Sequence, residues 1–273
     1  MTTSAQVIPE HLWVKGPIHV EPGKDIALSV DATRAFGPGG TLEVHGAAEA
    51  AVVDADTSRR FGRTNSLAVA DAHVPGSAHA HGAYTQEAGI VPNQTLLSEE
   101  QIAAWIQMGE ERILQPHAQF SLSQLRTDAR LTQMFTGRPQ IVWAQHACIG
   151  SEETLFIPPV VPEDFCNIFY KGTHPTRDSH SGIWDAVGNP VGVMAAIAAR
   201  RERVRRIFVK GNALEVCIYL TLMNLARFGI EVFIVMDGVG YLSFIDDSTR
   251  AALVENLQRA GVRFVHSDEL TYN

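Results

Sequence analysis

The chain has 273 residues, 45% apolar and 19% charged, which supplies a sizeable core and excludes a low-complexity or disordered chain. Its 22 basic and 30 acidic residues leave a net charge of -8, which argues against nucleic acid or an anionic membrane as partner. Three cysteines without paired spacing, an N-terminus (MTTSAQVIPEHLWVKG) without an apolar signal segment, and the lack of any long apolar run predict a cytoplasmic protein with no membrane span.

In chain order, Met1–Lys24 reads as an N-terminal extension that could serve as an oligomer arm. DIALSVD (Asp25–Asp31) and SLAVAD (Ser66–Asp71) are short, near-continuously apolar runs, the pattern of strands buried on both faces of a parallel sheet. Between Ala83 and Arg138 lies a long insertion. Ser98 with Gln101 makes a capping box before IAAWIQMGEERIL, and Ser121 with Gln124 a weaker second start. This helical excursion reads as a lid, an oligomer arm or a surface elaboration. Apolar runs resume at QIVWA (Gln140–Ala144), NIFYK (Asn167–Lys171), RIFVKG (Arg206–Gly211), EVFIVMDG (Glu231–Gly238) and VRFVHS (Val262–Ser267). Helical stretches are predicted at Val191–Arg205, Val216–Phe228 and Asp247–Ala260. Alternating β and α elements predict a doubly wound α/β sheet. The basic run ARRERVRR (Ala199–Arg206) reads as a solvated helix end.

Open parallel sheets bind ligands outside the carboxyl ends of their strands. Chemistry-bearing residues fall there repeatedly: Asp31, Asp71, His73, His146, Lys171 and Cys217 each end or follow an apolar run. Cys217 sits where a strand turns into a helix. Backbone N–H groups and the helix dipole there lower a thiol pKa and can hold an oxyanion. The plainer alternative is a buried structural cysteine. Asp31 ends an apolar strand and needs a partner for its charge, and Lys171 in FYKG is suited to that part. Together they read either as a structural salt bridge or as a general base and a cation beside a thiol. ADAHVPGSAHAHGAY offers Asp71, His73, His79 and His81, and His146 follows a later run. An N/O set of this kind suits a divalent ion, zinc first, with iron or manganese as alternatives. Cys148 reads as a small core residue or a soft ligand, and Cys166 as core. His11, His45, His117, His174 and His266 read as surface or satisfied histidines.

With these residues on the page, the chain resembles the isochorismatase-like cysteine hydrolases, and among them the nicotinamidases and pyrazinamidases. The resemblance runs from about Asp25 to the C-terminus. It rests on VDATRAFGPGGTLEV (Asp31, Phe36, Pro38-Gly39-Gly40), on Asp71-x-His73 with His79 six residues on, and on WAQHAC (Trp143, His146). YKGTHPTRDSHSGIWD (Lys171, His180) and GNALEVC (Cys217) complete it. It implies one domain over residues 1–273: a three-layer α/β/α fold on a mainly parallel six-stranded sheet, with the N-terminal extension 1–24 and the helical insertion 83–138 added. It implies Cys217 as nucleophile, Asp31 as proton shuttle and Lys171 as charge support. By the same resemblance the N–H groups of Ala213 and Cys217 would form an oxyanion hole beside a non-proline cis peptide near Asn212 or Ala213. On the same resemblance Phe36, Trp143 and His180 would contact substrate, and Asp71, His73, His79 and His146 would hold a metal that grips a pyridine nitrogen. A homo-oligomer that takes a small amide is expected, the leading substrate being nicotinamide.

Several positions depart from the family pattern: Thr33 and Ala35 after Asp31, Ala144 after Trp143, His180 in place of tyrosine, and Leu214-Glu215 before the cysteine. They leave a different small amide open as substrate. Two further alternatives are a non-catalytic interaction module with this fold, and an isochorismatase, which has no use for the thiol.

Overall fold

A computed structural model describes residues 12–75, 144–173, 179–185 and 188–272. The strands are β1 (Ile18–His19), β2 (Asp25–Val30), β3 (Ser66–Asp71), β4 (Asn167–Lys171), β5 (Arg206–Gly211), β6 (Glu231–Val239), β7 (Arg263–Val265) and β8 (Leu270–Thr271). The α-helices are α1 (Ala47–Phe61), α2 (Gly192–Ala198), α3 (Tyr219–Leu225) and α4 (Asp247–Arg259). A six-stranded sheet runs β4-β3-β2-β5-β6-β7, with every neighbouring pair parallel. The doubly wound α/β architecture expected from the sequence is therefore present. A small two-stranded parallel sheet pairs β1 with β8. With Val14 N–H donating to Phe264 O and Val20 N–H to Thr271 O, it lays residues 13–20 along the C-terminal part of the same chain.

Strands β2 and β3 are buried at every position, which explains their continuous apolar lettering. Right-handed crossovers put α1 on one face of the sheet and α2, α3 and α4 on the other. On the α1 face, Ala27, Phe208, Phe233 and Val265 pack with Phe61. On the other face, Leu28, Val30, Ile207, Val209 and Ile234 pack with Leu222 and Leu225 of α3 and Leu253 and Leu257 of α4. Each such fully buried side chain contributes about 1.5–3 kcal/mol. One polar group interrupts the α1 face. Ser29 and Lys210 are register partners, and both reach Asp54 of α1: Ser29 Oγ donates to Oδ2 at 2.5 Å and Lys210 Nζ to Oδ1 at 2.6 Å.

Helix α1 was not legible in the sequence. Its N-cap is Gly46 with no side-chain cap, and Asp54, Thr57 and Ser58 are buried within it, which blurs the apolar stripe. Helix α2 is shorter than the expected Val191–Arg205. After Ala198 the arginine-rich segment turns, and Arg205 N–H donates to Lys24 O at 2.7 Å, redirecting the chain into β5. Arg201, Arg203 and Arg205 of the basic run are exposed, as expected, whereas Arg206 is half-buried and its Nε donates to the buried carboxylate of Asp25 at 2.8 Å. The expected strand Gln140–Ala144, apart from Ala144, and the 83–138 insertion lie outside the described residues. Among the described residues no helix is long and apolar enough to cross a membrane.

Candidate active site

The strand order reverses direction between β2 and β5: β2 leads to β3 on one side and β5 to β6 on the other. Such a switch point opens a crevice at the carboxyl ends of the strands. Asp31 follows β2 there, Asp71 ends β3, Lys171 ends β4 in register with Asp71, and Cys217 follows β5. All are buried.

The backbone makes this convergence tight. Gly211 ends β5 at φ +119°, and a Cβ there would stand 1.9 Å from Val30 O, so only glycine lets β5 close on β2. Beyond it the Asn212–Ala213 peptide is cis, where the resemblance put one. Residues Leu214–Ile218 then form a π-helical turn, closed by Ile218 N–H donating to Ala213 O at 3.1 Å, and Cys217 lies in it. Asp31 itself takes a left-handed conformation, φ 52°, which ends the strand one residue earlier than expected. Its N–H donates to Val69 O, and Asn212 Nδ2 donates to its carbonyl at 3.1 Å.

Lys171 is the hub. Its Nζ lies 2.8 Å from Asp31 Oδ2, 2.6 Å from Asp71 Oδ1 and 3.6 Å from Cys217 Sγ. One carboxylate oxygen each of Asp31 and Asp71 and the sulfur of Cys217 lie within 4.8 Å of one another. Asp71 N–H donates to Asp31 Oδ1 at 2.8 Å, so the two acids are joined through backbone as well as through the ammonium. The sequence paired Lys171 with Asp31 but did not foresee that Asp71 shares it.

Burial dominates the electrostatics. It pushes the Asp31 carboxyl up, the neighbouring Asp71 carboxylate adds to this and Lys171 opposes it, for a value of about 7. Burial would also raise Asp71, but Lys171 and His73 hold it well below the usual carboxylate range. Lys171 is held well above its ordinary value, since Asp31 and Asp71 outweigh the desolvation that would lower it. The Cys217 thiol is likewise pushed well above its ordinary value by burial, against the pull of Lys171. The helix-start reasoning predicted a lowered thiol pKa; desolvation reverses it. Burial thus favours the protonated thiol.

Asp71, His73 and His146 form a second cluster, with Asp71 Oδ1 3.6 Å from His73 Nε2 and Oδ2 3.7 Å from His146 Nε2. One ligand atom from each lies within 4.8 Å of the others, and the three side chains are buried. His73 Nδ1 meets Gly172 O at 3.1 Å and His146 Nδ1 meets Ala144 O at 2.7 Å. A carbonyl oxygen only accepts, so each Nδ1 carries a proton, and in the neutral ring the Nε2 lone pair faces the cluster. This donor chemistry fits a divalent cation with its orienting outer shell already built. His146 is brought in by a parallel bridge between His73 and Cys148, in which His73 N–H donates to Ala147 O and Ile149 N–H to His73 O. Among the described residues Cys148 is not part of the cluster; its Sγ accepts from Gln145 Nε2 at 3.1 Å.

A pocket connects the two clusters. It is lined by Asp71, His73, His146, Lys171, Ala213 and Cys217, with Phe36, Leu42, Val44, Val216 and Leu242 as apolar walls, and His180. The Phe36 ring stands edge-on to His146 with centroids 5.6 Å apart. Of the residues singled out in the sequence, Asp31, Phe36, Asp71, His73, His146, Lys171, His180, Ala213 and Cys217 meet at this crevice; His79 and Trp143 lie outside the described residues. Leu42, Val44, Val216 and Leu242 were not anticipated, because an apolar pocket wall and an apolar core residue look alike in sequence.

No family model matches the chain. It is 26% identical over 102 residues to a nicotinamidase of Escherichia coli (strain K12), a match that spans 37% of this chain and 47% of that protein, about half its length. A nicotinamidase/pyrazinamidase structure from Acinetobacter baumanii superposes with a TM-score of 0.68 at 18% identity, covering 92% of this chain and 99% of the other. A pyrazinamidase of Pyrococcus horikoshii in complex with zinc gives a TM-score of 0.59 at 18% identity, covering 89% and 99% of the respective chains. The chain thus has the α/β fold shared by nicotinamidases, pyrazinamidases and isochorismatase-like hydrolases.

Proposed function

We propose that the protein is a metal-dependent cysteine amidohydrolase that converts nicotinamide, or a related heteroaromatic carboxamide, to its acid and ammonia. The observation that carries this reading is the position of one ammonium, Lys171 Nζ, between Cys217 Sγ at 3.6 Å and Asp31 Oδ2 at 2.8 Å. A neutral thiol, a carboxyl raised toward neutrality and a fixed cation make up an acid–base nucleophile set.

In this mechanism Asp31 takes the thiol proton, and Lys171 steadies the sulfur's charge as Sγ bonds to the amide carbon. The N–H groups of Ala213 and Cys217 receive the oxyanion. Asp31 returns the proton to nitrogen, the C–N bond breaks, and ammonia leaves a thioester. Water then attacks the thioester carbon and yields a proton to Asp31. The C–S bond breaks, and Cys217 regains its proton as the acid departs. Phe36 and His180, with Trp143 from outside the described residues, contact the ring. Asp71, His73 and His146, joined by His79 from outside the described residues, would hold the divalent ion, zinc first, with iron or manganese as alternatives. When bound, it supplies a Lewis-acid position for a pyridine nitrogen. A small uncharged amide as substrate, a cytoplasmic location and a homo-oligomeric state complete the reading.

The test is ammonia release from nicotinamide by purified protein. Cys217→Ala is expected to lower kcat/KM by at least ~10³-fold with circular dichroism unchanged. A Cys217→Ala variant that keeps wild-type turnover overturns the mechanism. Ammonia released only from other amides moves the substrate but keeps the chemistry.

A further inference from the structure

The π-helical turn that carries Cys217 also carries Glu215, which is 4% exposed and does not line the pocket. Glu215 Oε2 accepts from Leu242 N–H at 2.9 Å, and Oε1 accepts from Arg250 Nε at 2.6 Å. Arg250 comes from α4 and is equally buried. Its Nη2 donates to Leu242 O and to Ile245 O, each at 2.9 Å, and its Nη1 to Asp247 Oδ1 at 2.7 Å. Its guanidinium lies 4.6 Å from the ring centre of Tyr241. Tyr241 exchanges backbone hydrogen bonds at 3.0 Å with His45, next to the pocket residue Val44. One planar fork thus ties together the nucleophile's turn, the loop after β6 and the segment that brings Val44. Leu242, the residue bound at both its N–H and its C=O, is itself a pocket wall.

A buried ion pair is a weak source of stability, since apolar replacements of the same volume are often neutral or better. What it supplies is fixed geometry, because the guanidinium donors keep constant angles to one another. We propose that Arg250 and Glu215 are positioning residues that set the width of the substrate pocket, by locking the Leu242 wall against the turn that bears Cys217. The pocket so defined selects a small, unsubstituted planar ring over the same ring carrying an added methyl group. This selectivity rests on the amidohydrolase reading; the clamp itself does not.

Full-length Arg250→Met, Glu215→Gln and Leu242→Ala proteins are compared with the wild type. Turnover is measured on nicotinamide and on a ring-methylated nicotinamide, and the rate of Cys217 alkylation by iodoacetamide is followed by mass spectrometry. One methyl group in an apolar pocket is worth about 10–200-fold in discrimination, so Arg250→Met and Leu242→Ala should each erode the wild-type preference by at least about tenfold. A loosened turn should also raise the alkylation rate of Cys217 in Arg250→Met about tenfold. A role in stability alone would depress both substrates equally and leave their ratio unchanged. If Arg250→Met folds with wild-type selectivity and alkylation rate, the proposal is overturned. If it does not fold, unchanged values in both Glu215→Gln and Leu242→Ala overturn it. If the wild type hydrolyses neither amide, the proposed function has failed, and the alkylation rates alone decide the clamp.

Discussion

At the scale of single residues, the proposed chemistry turns on where Cys217, Asp31 and Lys171 hold their protons. Burial raises both the thiol and the Asp31 carboxyl, while Lys171 remains charged between two acids. The proposed mechanism requires Asp31 deprotonated, so kcat/KM should climb as pH rises through the Asp31 pKa and fall about tenfold per unit below it. A cation held at Asp71 would draw that pKa down from its value of about 7, so the acid limb is expected above the ordinary 3.8 and no higher than about 7. A pH–rate profile of the metal-loaded protein checks this. A limb at the ordinary carboxylate value would remove Asp31 from the role. These residues were legible in sequence because a charge at the end of an apolar strand demands a partner. The double use of Lys171 was not, because the register that sets Asp71 beside Lys171 joins strands 100 residues apart.

At the scale of elements, turns place the groups that strands only deliver. Gly172, immediately after β4, lies at φ +65°, and a Cβ on it would meet His73 Cε1 at 2.4 Å and Nδ1 at 2.5 Å. Gly172 O also meets His73 Nδ1. Gly172→Ala should therefore rotate His73 away from the cluster and reduce metal affinity by about 10–100-fold, as losing an outer-shell partner does. The left-handed backbone adds a stability cost of only about 1–2 kcal/mol. Metal content by elemental analysis after dialysis, alongside thermal unfolding, separates the two effects. Full metal content in a folded Gly172→Ala protein would show that this turn does not set the His73 ring. Helix α1 and the Glu215–Arg250 pair were missed at this scale for one reason. Neither carries a local signature: α1 lacks a capping side chain, and Glu215 lies 35 residues from Arg250.

At the scale of the whole molecule, the sheet holds one buried ion cluster at its carboxyl end and a second one in its body. Lys210, Asp54, Ser29 and Ser58 form a closed polar group between β2, β5 and α1, with Lys210 Nζ also donating to Ser58 Oγ at 2.8 Å. None of them lines the pocket. Lys210→Met leaves Asp54 as an uncompensated buried charge and should cost about 3–5 kcal/mol in denaturant unfolding. Replacing Asp54 by leucine in the same chain should recover a large part of that loss, since the desolvated charge is then gone. If the double variant is less stable than the single one, the packing of this group matters more than its charge.

Continuous apolar runs between polar strand ends were sufficient, read alone, to define a parallel α/β sheet and to nominate the sulfur, acids, amine and imidazoles of the site, because burial on two faces writes itself directly into residue type. The elevated thiol pKa, the Lys171 hub, the apolar pocket walls and the Arg250 fork were decided only by tertiary structure. Each depends on distances between segments far apart in the chain, and on how completely those segments exclude water from one another.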